Sequence, residues 1–231
     1  EYNQYGPPSV LHLTEAPKPF PRDNEILIKI RATTVTAGDC RLRALNVPFG
    51  FRTLLRLFLG FSRPRRRVLG MELAGDIESV GKAVSKFKPG DSVFAYSGID
   101  MGCYAEYKCM SEDEAVVLKP PNLSYQEAAA LSYGGTTALN FLNRAQIKSG
   151  ETILINGASG AVGSAAAEIA KHFGAEVTGV CSTVNLAWVQ SLGADHVIDY
   201  TKEDFTGNGK KYDIIFDAVG SAPYSRSKTS L

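Results

Sequence analysis

Between Thr152 and Lys171 the chain reads as a strand, a glycine-punctuated turn and a helix in immediate succession, an order that few folds accommodate. Ile153-Leu154-Ile155-Asn156 is a short apolar run of strand length. Gly157-Ala158-Ser159-Gly160-Ala161-Val162-Gly163 follows, and an alanine-rich segment continues to Lys171. Against the GxGxxG pattern, the last six turn residues place Ala158, Gly160 and Gly163 at the marked positions, with alanine replacing the first glycine. A glycine at 160 lets the backbone approach an anionic group, and one at 163 lets the helix lie close to the strand. The helix start adds unpaired N–H groups and the positive end of its dipole. A glycine turn can also serve packing alone. The strand before it, the helix after it and a second strand beyond favour a dinucleotide pyrophosphate site, so Gly157, Ala158, Ser159, Gly160, Ala161, Val162 and Gly163 are expected to contact a cofactor.

The surrounding sequence extends this unit into a parallel α/β sheet. Strands are expected at Thr152–Asn156, Glu176–Cys181, His196–Asp199 and Asp213–Asp217, separated by a helix over Ala161–His172 and shorter helical pieces. Before them, Ser124 with Glu127 three residues on forms a capping box, opening a helix through Leu131. A further helix is expected from Thr137 to Ala145. Ahead of Pro120-Pro121 the grammar is different. Glu25–Ala32 alternates as a half-buried strand, Lys88-Pro89-Gly90-Asp91 is a turn before Ser92-Val93-Phe94-Ala95, and several such pieces predict a small β-barrel. The expected domains are residues 1–121 and 122–231. The latter is expected to be incomplete at its C-terminus, with four strands where a doubly wound sheet has six.

Composition sets limits on partners. A formal net charge of +1 predicts no bulk attraction to nucleic acid or membrane, and no apolar run reaches membrane-spanning length. Cys40, Cys103, Cys109 and Cys181 show no CxxC spacing and no neighbouring histidine, so they read as reduced thiols. The absence of a signal peptide makes a cytoplasmic location the expectation, although Glu1 is not a methionine and a preceding segment would be invisible. His12, His172 and His196 are scattered and read as structural or exposed.

The ribose end of the cofactor site decides between NAD and NADP. An acidic residue is expected at the end of the second strand when NAD is bound, and Cys181-Ser182-Thr183 stands there instead. With hydroxyls available and no carboxylate to repel a 2′-phosphate, NADP (as NADPH) is favoured. No Arg or Lys lies between Lys171 and Lys202 to supply its charge. Tyr200, at the end of the third strand, reads either as a contact to the adenosine or as an ordinary strand-end aromatic.

Several motifs together resemble the medium-chain dehydrogenase/reductase superfamily, in its zinc-independent quinone oxidoreductase (zeta-crystallin-like) branch. They are Tyr5-Gly6-Pro7-Pro8, Gly70-Met71-Glu72-Leu73-Ala74-Gly75, Pro89-Gly90-Asp91-Ser92-Val93, Thr136-Thr137-Ala138, Gly157 to Gly163, Leu192-Gly193-Ala194-Asp195 and Phe216-Asp217-Ala218-Val219-Gly220. The resemblance implies a GroES-like β-barrel before a Rossmann domain, with Thr137, Ala218 and Val219 as further cofactor contacts. It places Thr36, Asp39, Tyr96 and Tyr133 as candidates for the substrate pocket. Asp39 also reads as a helix-start carboxylate paired with Arg41 and Arg43, and Tyr133 as a core residue. In zinc-dependent relatives the metal ligands would fall near Thr36 or Ala37, at Met71, and near Ser132 or Tyr133. None of these is Cys or His, and a thioether with hydroxyls is a poor zinc set. Without a Lewis acid, acceptors that delocalise incoming charge are favoured, so the expected substrate is a quinone or an α,β-unsaturated carbonyl reduced by NADPH. A homodimer is left open. The competing reading is a shortened, non-catalytic chain that binds NADP, nucleic acid or a partner.

Residues 40–71 contain no acidic residue, while arginine occurs at 41, 43, 52, 56, 63, 65, 66 and 67. Phe49–Phe61, with Arg52 and Arg56, could form an amphipathic helix. A solvated loop is the favoured reading of this segment, ahead of a lid or a nucleic-acid or membrane patch.

Overall fold

The computed structural model describes residues 1–46 and 49–231, without the side chains at 49, 51, 52, 55 and 58. It divides into two compact units, Glu1–Ser132 and Tyr133–Leu231.

The first unit is a curled antiparallel sheet. Strand β1 (Glu25–Thr33) is followed by helices α1 (Ala37–Ala44) and α2 (Phe49–Leu59), then β2 (Glu72–Val80), β3 (Ser92–Tyr96), β4 (Tyr107–Ser111) and β5 (Ala115–Leu118). The sheet order is β4-β1-β2-β3-β5. Register shifts at Leu27/Ile28 and Ile30/Ala32 interrupt the β1–β2 pairing and bend the sheet. Ile26 and Ile28 of β1 point inward with Leu73, Ile77, Val93 and Ala95, as a period of two requires of a one-sided core. The Lys88–Asp91 turn is closed by the Asp91 amide donating to the Lys88 carbonyl, with Gly90 at φ +91° as a type II turn demands. Phe49–Leu59 forms a helix, where a solvated loop was the favoured reading and an amphipathic helix the alternative; the Arg52 side chain lies outside the described residues.

One helix differs from expectation. Residues 125–145 form a single α3 (Tyr125–Ala145) where two helices were expected. The capping box forms: the Ser124 amide donates to Glu127 and the Glu127 amide to the Ser124 hydroxyl. The helix then runs through Gly134-Gly135 without a break. A Cβ at Gly134 would lie 2.5 Å from the Ala161 carbonyl oxygen, so this glycine permits a close approach and does not end the helix. The division between the two compact units falls within α3, between Ser132 and Tyr133. Ala128 and Ala129 pack with Ala74 of the first unit, while Ala138 and Leu142 belong to the core of the second.

The second unit is a parallel sheet: β6 (Thr152–Asn156), α4 (Ala161–His172), β7 (Glu176–Cys181), α5 (Leu186–Ser191), β8 (His196–Asp199), β9 (Ile214–Asp217) and a short α6 (Tyr224–Ser227). The four-stranded order is β8-β7-β6-β9, with every described pairing parallel. Ile153 and Ile155 face a core with α4, and Leu154 faces another core with Val180, Ile198 and Phe205. A strand buried on both faces explains the continuous apolar run in β6.

Candidate functional site

In the β8-β7-β6-β9 order the chain passes to one side of β6 for β7 and β8 and to the other for β9, so the topological switch point lies between β6 and β9. Ligands of such sheets bind outside the carboxyl ends of the strands at that point. A cavity of about 650 Å³ sits there, walled by the turn after β6, the residues after β7 and β8, and the loop after β9.

The turn is shaped by its three glycines in different ways. Gly157 holds φ +82°, a left-handed conformation, and a Cβ on it would strike Val219 Cγ2 at 2.2 Å. At Gly163 a Cβ would sit 2.2 Å from the Gly157 carbonyl oxygen, so its absence lets α4 rest on the turn. Gly160 is ordinary extended backbone (φ −83°, ψ 167°), and a Cβ there would be 3.5 Å from the nearest protein atom beyond its neighbours. The fold itself does not need Gly160 to be glycine. What the missing side chain keeps open is the space over the start of α4. Gly160 is also the N-cap of α4, and among the described residues no side-chain cap satisfies the first-turn amides.

Seven of the sequence-expected cofactor residues line this cavity: Gly157, Ser159, Gly160, Cys181, Ser182, Tyr200 and Val219. Tyr200 presents an exposed ring. The others sit behind the wall or beside it. Ala158 is fully buried in the core and Val162 packs against it. Ala161 and Gly163 are in the first turn of α4, the Ala218 amide donates to the Asn156 carbonyl, and Thr137 is half-buried within α3. Thr183 turns its hydroxyl to Asp199.

Sequence reasoning passed over three features. Asn185 donates its amide to both Ser159 Oγ (3.2 Å) and Ser182 Oγ (3.1 Å), tying the turn to the residues after β7. Asp199 accepts from the Thr183 and Thr201 hydroxyls and the Thr201 amide, which together hold its carboxyl down to about 2. Asp217, at the end of β9, accepts from Asn156 Nδ2 at 2.9 Å and from the amides of Val219, Gly220 and Ala222. Burial opposes charge on Asp217, and the Ala222 and Asn156 donors overcome it, so its carboxyl lies below the usual range. The sequence signal for Asp199 was its place at the end of a strand, and Asp217 stood in addition within the Phe216-Asp217-Ala218-Val219-Gly220 motif.

The substrate-pocket candidates fall in separate units. In the first, Thr36 is the N-cap of α1 and shares a capping box with Asp39. Asp39 is buried, its two oxygens taking the Thr36 amide at 2.9 Å, the Thr36 hydroxyl at 2.7 Å and the Gly70 amide at 3.2 Å. Among the described residues no ion pair joins it to Arg41 or Arg43. Tyr96 is half-buried at the end of β3, opposite Glu72. Tyr133 begins the second unit and is partly exposed. At the positions where the resemblance would put zinc ligands, Thr36 is committed to its cap, Met71 packs in an apolar cluster and the Ser132 hydroxyl donates to the Ala95 carbonyl. These donors do not fit a zinc ion. Among the described residues no group of three or more His, Cys, Asp or Glu side chains could hold a metal, and no helix is long and apolar enough to cross a membrane.

Comparison with known proteins agrees with this architecture. Residues 22–121 match the family described as alcohol dehydrogenase GroES-like domain, and residues 161–231 the family described as zinc-binding dehydrogenase. The chain is 39% identical over 229 residues to the 2-methylene-furan-3-one reductase of Solanum lycopersicum, an alignment covering 95% of this chain and 56% of that protein. It is 33% identical over 237 residues to the quinone oxidoreductase of Homo sapiens, covering 99% of this chain and 68% of that one. The Escherichia coli quinone oxidoreductase solved in complex with NADPH superposes with a TM-score of 0.83 at 28% identity, over 100% of this chain and 68% of that chain. The chain thus spans between about half and two thirds of these relatives. Two matched domains in the same order, and identities above 30% along nearly the whole chain, place it in the medium-chain dehydrogenase/reductase family, in the quinone oxidoreductase branch.

Proposed function

We propose that this chain binds NADPH at the cavity beside Gly160 and serves in the reduction of a quinone or an α,β-unsaturated carbonyl without zinc. The observation that carries the reading is Gly160: no neighbouring protein atom requires a glycine there, while the helix start beneath it offers amides with no side-chain cap. A pyrophosphate is the ligand that such an opening suits. Relatives named for quinone and NADPH-dependent alkenal/one reduction support the chemistry.

When bound, the reduced nicotinamide would supply hydride. The residues of the chain have the simpler tasks of holding phosphates at the α4 amides, keeping the ribose near Ser182 and Tyr200, and excluding water. Conjugated acceptors suit a site whose donors do not fit zinc, because they spread the incoming charge themselves. Free cysteines fit a reducing compartment, for which the cytoplasm is the simplest proposal.

The test is a fluorescence titration with NADPH, followed by cofactor oxidation with quinones and with enones. The parent chain is expected to bind, and Gly160→Asp to weaken binding by at least about tenfold, because it puts a carboxylate against the phosphates. Equal behaviour of parent and variant would remove the reading. Binding with no turnover on either acceptor class would keep the site and favour a non-catalytic chain.

A further inference from the structure

We infer that Arg226 is the residue that selects a phosphate on the adenosine ribose, acting with the Ser182 hydroxyl, and that Asp204 is the carboxylate competing for its guanidinium. The inference rests on the dinucleotide reading above and supplies the charge which that reading lacks.

The sequence offers no Arg or Lys between Lys171 and Lys202, so a phosphate beside Ser182 must draw its counter-charge from another part of the fold. Among the described residues, the cavity wall carries one cationic side chain, Arg226, delivered by α6 after β9. Glu203 and Asp204 line the same wall. Without Arg226 that wall would carry only negative charge and would repel a dianion.

Arg226 Nη2 donates to Asp204 Oδ2, and both side chains are about half exposed. Exposed pairs of this kind contribute little and exchange partners readily. The guanidinium has five N–H donors in a planar fork, and Asp204 engages one nitrogen, which leaves donors for phosphate oxygens. Asp204 is itself held by the Thr206 amide and hydroxyl, so it stays in place when the guanidinium turns to another acceptor.

The neutral half of the subsite is prepared by Asn185. Because Ser182 Oγ accepts from the Asn185 amide, it keeps its own proton to donate. Ser159 Oγ is fixed the same way. Thr183 differs, its proton being spent on Asp199. Of the two hydroxyls that follow β7, the one left for the ribose phosphate is therefore that of Ser182.

Calorimetric titration of the chain with ADP and with 2′,5′-ADP tests this directly. The parent is expected to prefer 2′,5′-ADP. Arg226→Gln should weaken 2′,5′-ADP by about tenfold or more and leave ADP within about twofold, since the guanidinium meets the 2′-phosphate, which ADP, with both phosphates at the 5′ position, lacks. Arg226→Lys should recover part of the loss, Ser182→Ala should show a smaller selective loss, and Asp204→Asn should tighten 2′,5′-ADP by freeing the guanidinium. ADP binding serves as the internal check on folding. If the parent binds both ligands and Arg226→Gln leaves their ratio unchanged, the inference fails while the dinucleotide site stands. If the parent binds neither, the dinucleotide site fails and takes the inference with it.

Discussion

Asp199 is a carboxylate whose value depends on neighbours that come from two different strands' ends. Thr183 follows β7 and Thr201 follows β8, and their hydroxyls meet at its two oxygens. The folded carboxyl is held at about 2 against an ordinary value of about 3.9 in an unfolded chain. A depressed folded value means that the unfolded state binds the proton first on acidification. The contribution is thus complete above about pH 4 and is lost as pH falls toward about 2. Stability measured across this range should fall less steeply in Asp199→Asn than in the parent; identical slopes would refute the assignment. Sequence alone could place Asp199 at a strand end. It could not show two hydroxyls from separate connections converging on it.

At the scale of elements, α3 shows how a residue's meaning depends on what lies opposite. Gly134 and Gly135 are adjacent in one helix, and each costs about 1 kcal/mol of helix propensity relative to alanine. A Cβ on Gly135 meets nothing within 4 Å, while one on Gly134 would lie 2.5 Å from the Ala161 carbonyl oxygen. Gly135→Ala should therefore stabilise the chain by about 1 kcal/mol, and Gly134→Ala should destabilise it by about 1–3 kcal/mol through overpacking. Denaturant melts of the two variants decide the matter, and a shift of the same sign in both would contradict this packing. The same helix explains why the sequence suggests two helices in its place. Two glycines in a row signal a break locally, and the compensating close approach is visible only in three dimensions. Strands β6, β7 and β8 were legible to the residue because short apolar runs bounded by turns leave few alternatives, as was helix α4.

Across the whole molecule, the four thiols report how burial is distributed. Cys103 and Cys181 are buried in the cores of different units, Cys109 is half-buried and Cys40 is exposed. Burial pushes the Cys103 thiol up to about 12, outweighing the nearby Lys108. The reactive species is the thiolate, so an alkylating reagent at neutral pH should modify Cys40 first and leave Cys103 and Cys181 unmodified until their units unfold. Mass spectrometry after timed labelling checks this order, and early modification of Cys103 would show that the first unit opens far more easily than its packing implies.

What the amino-acid sequence determined by itself was everything carried by local order: the strand-turn-helix at Gly157–Gly163, the capping box at Ser124, the alternation of β1, the parallel strand succession, and hence the family. These follow from periodicity and backbone preference within a few residues of each other. The tertiary structure alone decided that Gly157 takes a left-handed backbone against Val219, that Ala158 faces the core and not the cavity, and that Asp204 and Arg226 line the same cavity as Ser182. Those facts depend on which groups from distant positions come within a few ångströms. Side-chain direction and electrostatic pairing are set by such neighbours, and no local pattern encodes them.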